Sequence, residues 1–104
     1  MGAFNFNETD KTVLVTLEGE VVLETLHDLR RDLDAFLGAN EHKNIDIDMS
    51  RVVFMDSSGI GFLIGLQKNA AQHGKKLRLL APQPAITKLL AMLKLNEFFD
   101  IVAA

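Results

Sequence analysis

Two adjacent serines near the middle of the chain, Ser57 and Ser58, stand between an aspartate and a glycine in the run Asp56-Ser57-Ser58-Gly59. The run comes after an apolar, strand-like stretch and before an apolar stretch with helical spacing, so it predicts the first turn of a helix. A helix N-terminus exposes unpaired N–H groups and a partial positive charge, and a phosphate is well tolerated there. A phosphate on one of these hydroxyls would therefore be compatible with the helix start.

The consequence of such a modification would be electrostatic. A phosphate on Ser57 adds about −1.5 to −2 charges beside Asp56, and Asp48, on the preceding strand, is expected close by. A partner that docks there with a carboxylate or an apolar patch would be expelled, and a loss of about 1.4 kcal/mol already lowers its affinity tenfold. Gly59 and Gly61 are expected to leave room for a partner at the helix start.

Helix capping is the simpler interpretation of the same residues, since Asp and Ser are preferred N-caps and contribute roughly 1 kcal/mol. The two interpretations are compatible. The glycines of Gly59-Ile60-Gly61 and Gly65 also suggest a dinucleotide motif, but their spacing departs from the usual fingerprint. The next strand ends in Ala81-Pro82 rather than in an acidic ribose ligand. We therefore expect no cofactor.

Metal or acid–base chemistry has weaker support in the sequence. Asp46 and Asp48 alternate along a strand and share a face, which suits either a metal or acid–base pair or a polar sheet face; Asp46 has no clear role. His27, His42 and His73 are scattered without ligand spacing. No nucleophile, base and orienting group can be assembled, so neither a metal site nor an enzyme is expected.

The elements that must position the serines follow from hydrophobic periodicity. Strands are predicted around Phe4 and Phe6, from Thr12 to Leu17 with Gly19 as its end, from about Asn44 to Met49 before a turn at Ser50-Arg51, from Leu77 to Leu80, and at Ile101-Val102. Helices are predicted from Val22 to Leu37 with Gly38 as cap, from Ser57 or Ser58 to Gln72, and from Pro84 through Leu93.

The predicted order is β-β-α-β-α-β-α-β, an α/β fold in one domain over residues 1–104. The sheet is expected to be mixed but mostly parallel, with an antiparallel N-terminal edge strand and helices packed on it. Regulatory sites in such sheets lie at the carboxyl ends of parallel strands, where residues 51–59 are expected. Leu89, Met92 and Leu93 are expected in the core, although Met92 is also suited to a partner contact.

Composition excludes several classes of function. The net charge of −3 and a pI near 5.5 offer no basic surface for nucleic acid. The chain has no cysteine and no apolar run long enough to span a bilayer, and its N-terminus lacks the pattern of a signal peptide. We expect a cytoplasmic protein without membrane insertion, and the sequence leaves its oligomeric state open.

The chain resembles the STAS domain family, and within it the bacterial anti-sigma factor antagonists. The segments that carry this resemblance span nearly the whole chain, and they are Leu17-Glu18-Gly19-Glu20, Phe54-Met55-Asp56-Ser57-Ser58-Gly59-Ile60-Gly61, Leu79-Leu80-Ala81-Pro82, Leu89-Leu90 and Leu93-Lys94-Leu95. The resemblance implies a partner switch in which the unphosphorylated form binds an anti-sigma factor that is also a serine kinase. Phosphorylation breaks that complex, and a phosphatase restores it.

By position in the motif, the resemblance implies that Ser57 is the phosphate acceptor, with Ser58 as runner-up. The switch surface would comprise Asp56, Ser57, Ser58, Gly59, Gly61 and Asp48. One segment departs from the family pattern, because Val21-Val22-Leu23-Glu24-Thr25-Leu26 stands where close antagonists carry a polar residue and a Thr-Ala helix start. That segment is expected beside Ser57.

Two other functions remain open at this point. The first is a STAS subunit with a constitutive scaffolding role in a transporter or signalling assembly, where Ser57 would be only a cap. The second is a small-molecule or nucleotide-binding module, which a ligand-induced rise in melting temperature would reveal.

Overall fold

The computed structural model describes residues 3–9, 11–39 and 44–103, in which strands and helices alternate in the predicted order. The strands are β1 (Ala3–Glu8), β2 (Thr12–Val21), β3 (Asn44–Met55), β4 (Leu77–Leu80) and β5 (Asp100–Val102). The helices are α1 (Leu23–Ala39), α2 (Ser57–Gln72) and α3 (Pro84–Met92). No helix in the described part of the chain is long and apolar enough to cross a membrane.

The five strands form one sheet in the order β1-β2-β3-β4-β5, with β1 antiparallel to β2 and all other pairs parallel. This confirms the predicted mixed sheet with an antiparallel edge. Each helix connects two neighbouring parallel strands, and the three steps run in the same direction. Since such crossovers are right-handed, all three helices lie on one face of the sheet.

The core fills the space between that face and the helices. Alternate residues of β2, β3 and β4 are almost fully buried: Val13, Val15, Leu17, Ile45, Ile47, Met49, Leu77 and Leu79. The helices contribute Leu26, Leu29, Leu33, Ile60, Phe62, Leu63, Ile86 and Leu90. Truncating one such leucine to alanine typically lowers the free energy of unfolding by about 2–5 kcal/mol. Packing of this strength holds the strands in place, and with them the strand ends that carry the site.

Two strands are longer than predicted. β2 continues through Gly19, and β3 continues through the predicted turn at Ser50-Arg51 to Met55. The cause is irregular register: β3 carries one extra residue between the pairs Thr16↔Asp48 and Glu18↔Arg51, and another between Gly19↔Val52 and Glu20↔Phe54. Such bulges break the alternation that strand prediction relies on; the end of β3 buries every third residue instead.

Other predictions were wrong only at element ends. Helix α1 runs through Gly38, so Gly38 is not its cap, and Ala39 is its last residue. The side chains of Phe36 and Leu37, and the whole of Asp10, lie outside the described residues. Pro84 does open α3. Met92 and Leu93, expected in the core, are 72% and 50% exposed, because α3 ends there.

Candidate functional site

Asp56 separates the end of β3 from the start of α2 and caps the helix. Its backbone is extended, and its Oδ1 accepts a hydrogen bond from the Gly59 N–H at 2.9 Å. The Ile60 N–H donates to the Asp56 carbonyl at 3.1 Å. One side-chain oxygen and one backbone carbonyl thus satisfy two N–H groups of the first turn.

The two serines that follow do not serve as caps. Within the residues that the structure describes, neither the Ser57 nor the Ser58 hydroxyl makes a hydrogen bond. Ser57 is exposed, whereas Ser58 is half-buried. The capping interpretation therefore applies to Asp56, and the exposed Ser57 hydroxyl takes no part in the cap.

Asp56 also holds a second helix. Its Oδ2 accepts a hydrogen bond from the Leu23 N–H at 3.3 Å, and Leu23 is the first residue of α1. The Asp56 N–H donates to the Val21 carbonyl at 3.4 Å. One carboxylate therefore receives N–H groups from the starts of two helices, each with a partial positive charge. The segment between β2 and α1 lies beside Asp56, the residue that precedes Ser57.

Gly59 is required by this close approach. A Cβ at position 59 would lie 2.3 Å from the Val21 carbonyl oxygen, which is backbone and cannot turn aside. Gly61 has no such neighbour within 4 Å. Of the two glycines expected at the helix start, Gly59 is needed for packing inside the protein, and only Gly61 leaves open space at the surface.

A shallow groove runs from this helix start between α1 and α2. It encloses about 390 Å³ and is lined by Leu23, Leu26, His27, Arg30, Ser58 and Gly61. The Arg30 guanidinium lies over the Phe62 ring, 5.6 Å from its centre. We call this the α1–α2 groove. Its lining combines exposed Leu23 with two basic side chains, a combination that no sequence motif indicated.

Asp48, predicted as part of the same surface, is not brought to it. Its Oδ1 accepts a hydrogen bond from the Ser50 N–H at 2.9 Å, and its register partners are Thr16 and Leu80. Because β3 continues to Met55 instead of turning at Ser50, Asp56 is eight positions further along the chain than Asp48; strand geometry makes that about 25 Å.

Asp46 has a structural partner that the sequence interpretation missed. It stands opposite Arg78 in the β3–β4 register, and the guanidinium binds it through two hydrogen bonds, Nε to Oδ1 at 2.8 Å and Nη2 to Oδ2 at 2.7 Å. These hydrogen bonds, and then the charge of Asp46, raise the pKa of Arg78. Asp46 is only 8% exposed, so the pair accounts for a buried acid on the sheet.

The histidines are not brought together. His27 lines the α1–α2 groove, and His73 is the C-cap that follows α2, with its ring Nδ1 2.8 Å from the Asn69 carbonyl oxygen. His42 lies outside the described residues. Across the described ranges, no group of three or more His, Asp or Glu side chains is placed to hold a metal ion.

Comparison of the sequence with models of known protein families shows to which family the chain belongs. The family model described as "Mlab, STAS domain" matches residues 4–103. The chain belongs to the STAS domain family. Among curated STAS relatives, the anti-sigma F factor antagonist of Paenibacillus polymyxa is 28% identical over 89 residues, which are 86% of this chain and 76% of the relative.

Solved STAS structures share the fold. The anti-sigma factor antagonist SpoIIAA in its unphosphorylated form is 26% identical, with a TM-score of 0.76 over 98% of this chain and 89% of that one. SpoIIAA of Bacillus in the phosphorylated form has the same TM-score at 24% identity, over 97% of this chain and 92% of that one. The fold predicted from the resemblance is confirmed.

Proposed function

We propose that this STAS protein is a cytoplasmic anti-sigma factor antagonist, a binding protein without enzymatic activity. Unphosphorylated, it binds an anti-sigma factor that is also a serine kinase. Phosphorylation of Ser57 releases that partner, and a phosphatase restores binding. The observation that carries the proposal is an exposed Ser57 hydroxyl that the helix does not use, because Asp56 caps it.

Exposure favours Ser57 over Ser58 as the acceptor. A kinase must bring its nucleotide phosphate in line with the attacking hydroxyl, which an exposed residue at the first helical position permits. Ser58 is half-buried and lines the α1–α2 groove beside His27 and Arg30. We therefore keep Ser57 as the acceptor and Ser58 as the runner-up.

Charge explains how a phosphate would act without a change of fold. The phosphate brings about −1.5 to −2 charges next to the Asp56 carboxylate. The backbone around it stays in place, since Asp56 is tied to Leu23, Gly59 and Val21. The phosphate repels a partner carboxylate that approaches Ser57. An apolar partner side chain at the same place can no longer make a contact from which water is excluded. Asp48 and the buried Gly59 lie outside this surface, which comprises Asp56, Ser57, Ser58 and Gly61.

The relatives support the same function. The Paenibacillus relative is named an anti-sigma F factor antagonist, and SpoIIAA has been solved in both unphosphorylated and phosphorylated forms. The site that would carry the phosphate here sits at the start of α2, on the fold that those proteins share.

A second function has an observation in its favour. Leu23 is 68% exposed in the segment that departs from the antagonist pattern, and it lines the α1–α2 groove together with Ser58. A permanently bound partner would cover such a side chain. In that case the protein is a non-switching STAS subunit that scaffolds a transporter or signalling assembly, and Ser57 is never modified.

The deciding experiment is the phosphorylation state of the protein from its native cells under growth and stress. Cleavage after Arg51 and Lys68 gives the peptide of residues 52–68, which contains both serines, and fragmentation between them assigns the phosphate. The expected result is phosphate on Ser57. A peptide that is unmodified in every condition overturns the switch and favours the scaffolding subunit.

The matched binding experiment uses the Ser57→Ala protein to retain the partner, which mass spectrometry then identifies. The expected partner is an anti-sigma factor with kinase activity on the parent protein. A partner that is a transporter component, held equally by Ser57→Ala and Ser57→Asp, would support the scaffolding function instead.

A further inference from the structure

A second surface begins where β3 projects past its neighbour. β4 pairs with β3 only from Ile45 to Asp48, whereas β3 continues to Met55 with β2 on its other side. Within the described chain, no strand pairs with the β4-facing edge of β3 beyond Asp48. At Ser50 the main chain is held by side chains instead: the Gln83 Nε2 donates to its carbonyl at 2.9 Å, and its N–H donates to the Asp48 Oδ1 at 2.9 Å.

The open edge borders an apolar groove against α3. The groove encloses about 360 Å³, and its lining includes Val53, Phe54, Ile86, Leu89 and Met92. We call it the β3–α3 groove. Three of these side chains are large, apolar and unusually exposed, with 60% for Val53, 51% for Phe54 and 72% for Met92. Contiguous exposed apolar surface beside an unpaired strand edge is rare in a monomer unless something covers it.

One charged side chain, Lys88, lines this otherwise apolar groove. Among the described residues it forms no ion pair, in contrast to Arg51 and Arg78, which each hold a carboxylate. A second copy of this chain seated across the groove about a two-fold axis would bring two such lysines toward each other. An occupant with a carboxylate would instead complement the charge.

The groove is continuous with the switch surface. Met55 lines the groove, and Asp56 and Ser57 follow it directly in the chain. A partner that binds at Ser57 is therefore two residues along the chain from the lining of the groove. The unpaired main chain of β3 favours an extended segment, which can hydrogen-bond along the edge while its side chains enter the apolar lining.

We propose that the β3–α3 groove binds an extended apolar segment of the anti-sigma partner, added alongside β3, with an acidic side chain opposite Lys88. This inference rests on the proposed function, because it takes the partner of the Ser57 switch as the occupant. The β3–α3 groove would then contribute binding free energy from a surface that the phosphate does not contact. The phosphate at Ser57 would act on one part of a larger interface.

The test uses the anti-sigma factor retained by the Ser57→Ala protein, purified, and titrated against groove variants by calorimetry. Lys88→Glu and Met92→Glu are each expected to weaken binding at least tenfold. Lys76→Glu is the matched control, since Lys76 is an exposed lysine just before β4, outside the groove. The Lys76→Glu protein is expected to bind the anti-sigma factor with an affinity within twofold of the parent's. Melting curves check that every variant is folded.

Hydrogen exchange distinguishes the mode of binding. In the 53–55 segment, the amides that face the open edge of β3 are expected to gain protection in the complex, as strand addition requires. Protection confined to α3 would overturn the extended mode. If the anti-sigma factor binds both groove variants as tightly as the parent, the groove proposal is wrong while the switch stands. If no anti-sigma factor is retained at all, both fail.

Sedimentation of the isolated protein addresses the other occupant. The expected result is a monomer, for the parent and for Met92→Glu alike. A parent dimer that Met92→Glu dissociates would assign the groove to a second copy of the chain and overturn the proposal.

Discussion

Replacing Gly59 with alanine tests the packing on which the whole site depends. The added Cβ meets the Val21 carbonyl oxygen at 2.3 Å, which is backbone, so α2 or the β2–α1 segment must move. Overpacking of this kind typically costs about 1–3 kcal/mol, and the higher helix propensity of alanine returns at most about 1 kcal/mol. The expected net effect is a loss of about 1–2 kcal/mol.

Gly61→Ala is the matched control, because a Cβ there meets nothing within 4 Å. It gains the same propensity, roughly 0.5–1 kcal/mol, without a clash. The difference between the two variants therefore isolates the steric term. Thermal unfolding followed by circular dichroism measures it, since each 1 kcal/mol shifts the midpoint by about 4–8 °C in a chain of this size.

The expected order of stability is Gly61→Ala, then the parent, then Gly59→Ala. If Gly59→Ala melts at or above the parent, α2 does not approach Val21 as closely as 2.3 Å for a Cβ implies, and Asp56 does not hold the two segments together.

Three further perturbations have defined outcomes. Asp56→Ala removes caps from two helices and is expected to lower the free energy of unfolding in urea by about 1–2 kcal/mol, with Asp56→Asn milder because its oxygen still accepts. Arg78→Met leaves Asp46 without its counter-charge and is expected to lower the urea midpoint; adding Asp46→Asn should recover part of the loss, and strict additivity would argue against the pair. Ser57→Asp is expected to bind the anti-sigma partner at least tenfold more weakly than Ser57→Ala in the same titration, whereas equal affinity would remove charge as the switching agent.

Local patterns were enough to predict the start of α2 and its serines. A strand signal, Asp56, and an apolar helical stretch are consecutive in the chain, so their positions depend on neighbouring residues only. The order of elements then predicted a mostly parallel sheet, because right-handed crossovers leave few other ways to arrange these strands. Sequence periodicity accordingly placed Ser57 at the carboxyl end of β3.

The misplaced residues depend on contacts between distant parts of the chain. Asp48 was assigned to the site because the strand was expected to stop at Met49, and pairing with β2 is what carries β3 to Met55. The role of Asp46 depends on Arg78, which is 32 residues away in the chain and lies opposite it only once β3 and β4 have paired. The second acceptor role of Asp56, toward Leu23, and the two grooves depend in the same way on tertiary packing.

The double role of Asp56 has a consequence for the order of folding. The Leu23 N–H and the carboxylate that receives it are 33 residues apart in the chain, so closing that contact costs loop entropy that local helix formation does not. The first turn of α1 is expected to be completed only after β2 and β3 have paired, with low φ-values for Leu23 and high ones for the middle of β3. A chain that has not finished folding would lack the surface around Ser57, so the proposed kinase would not recognise newly made, incomplete molecules.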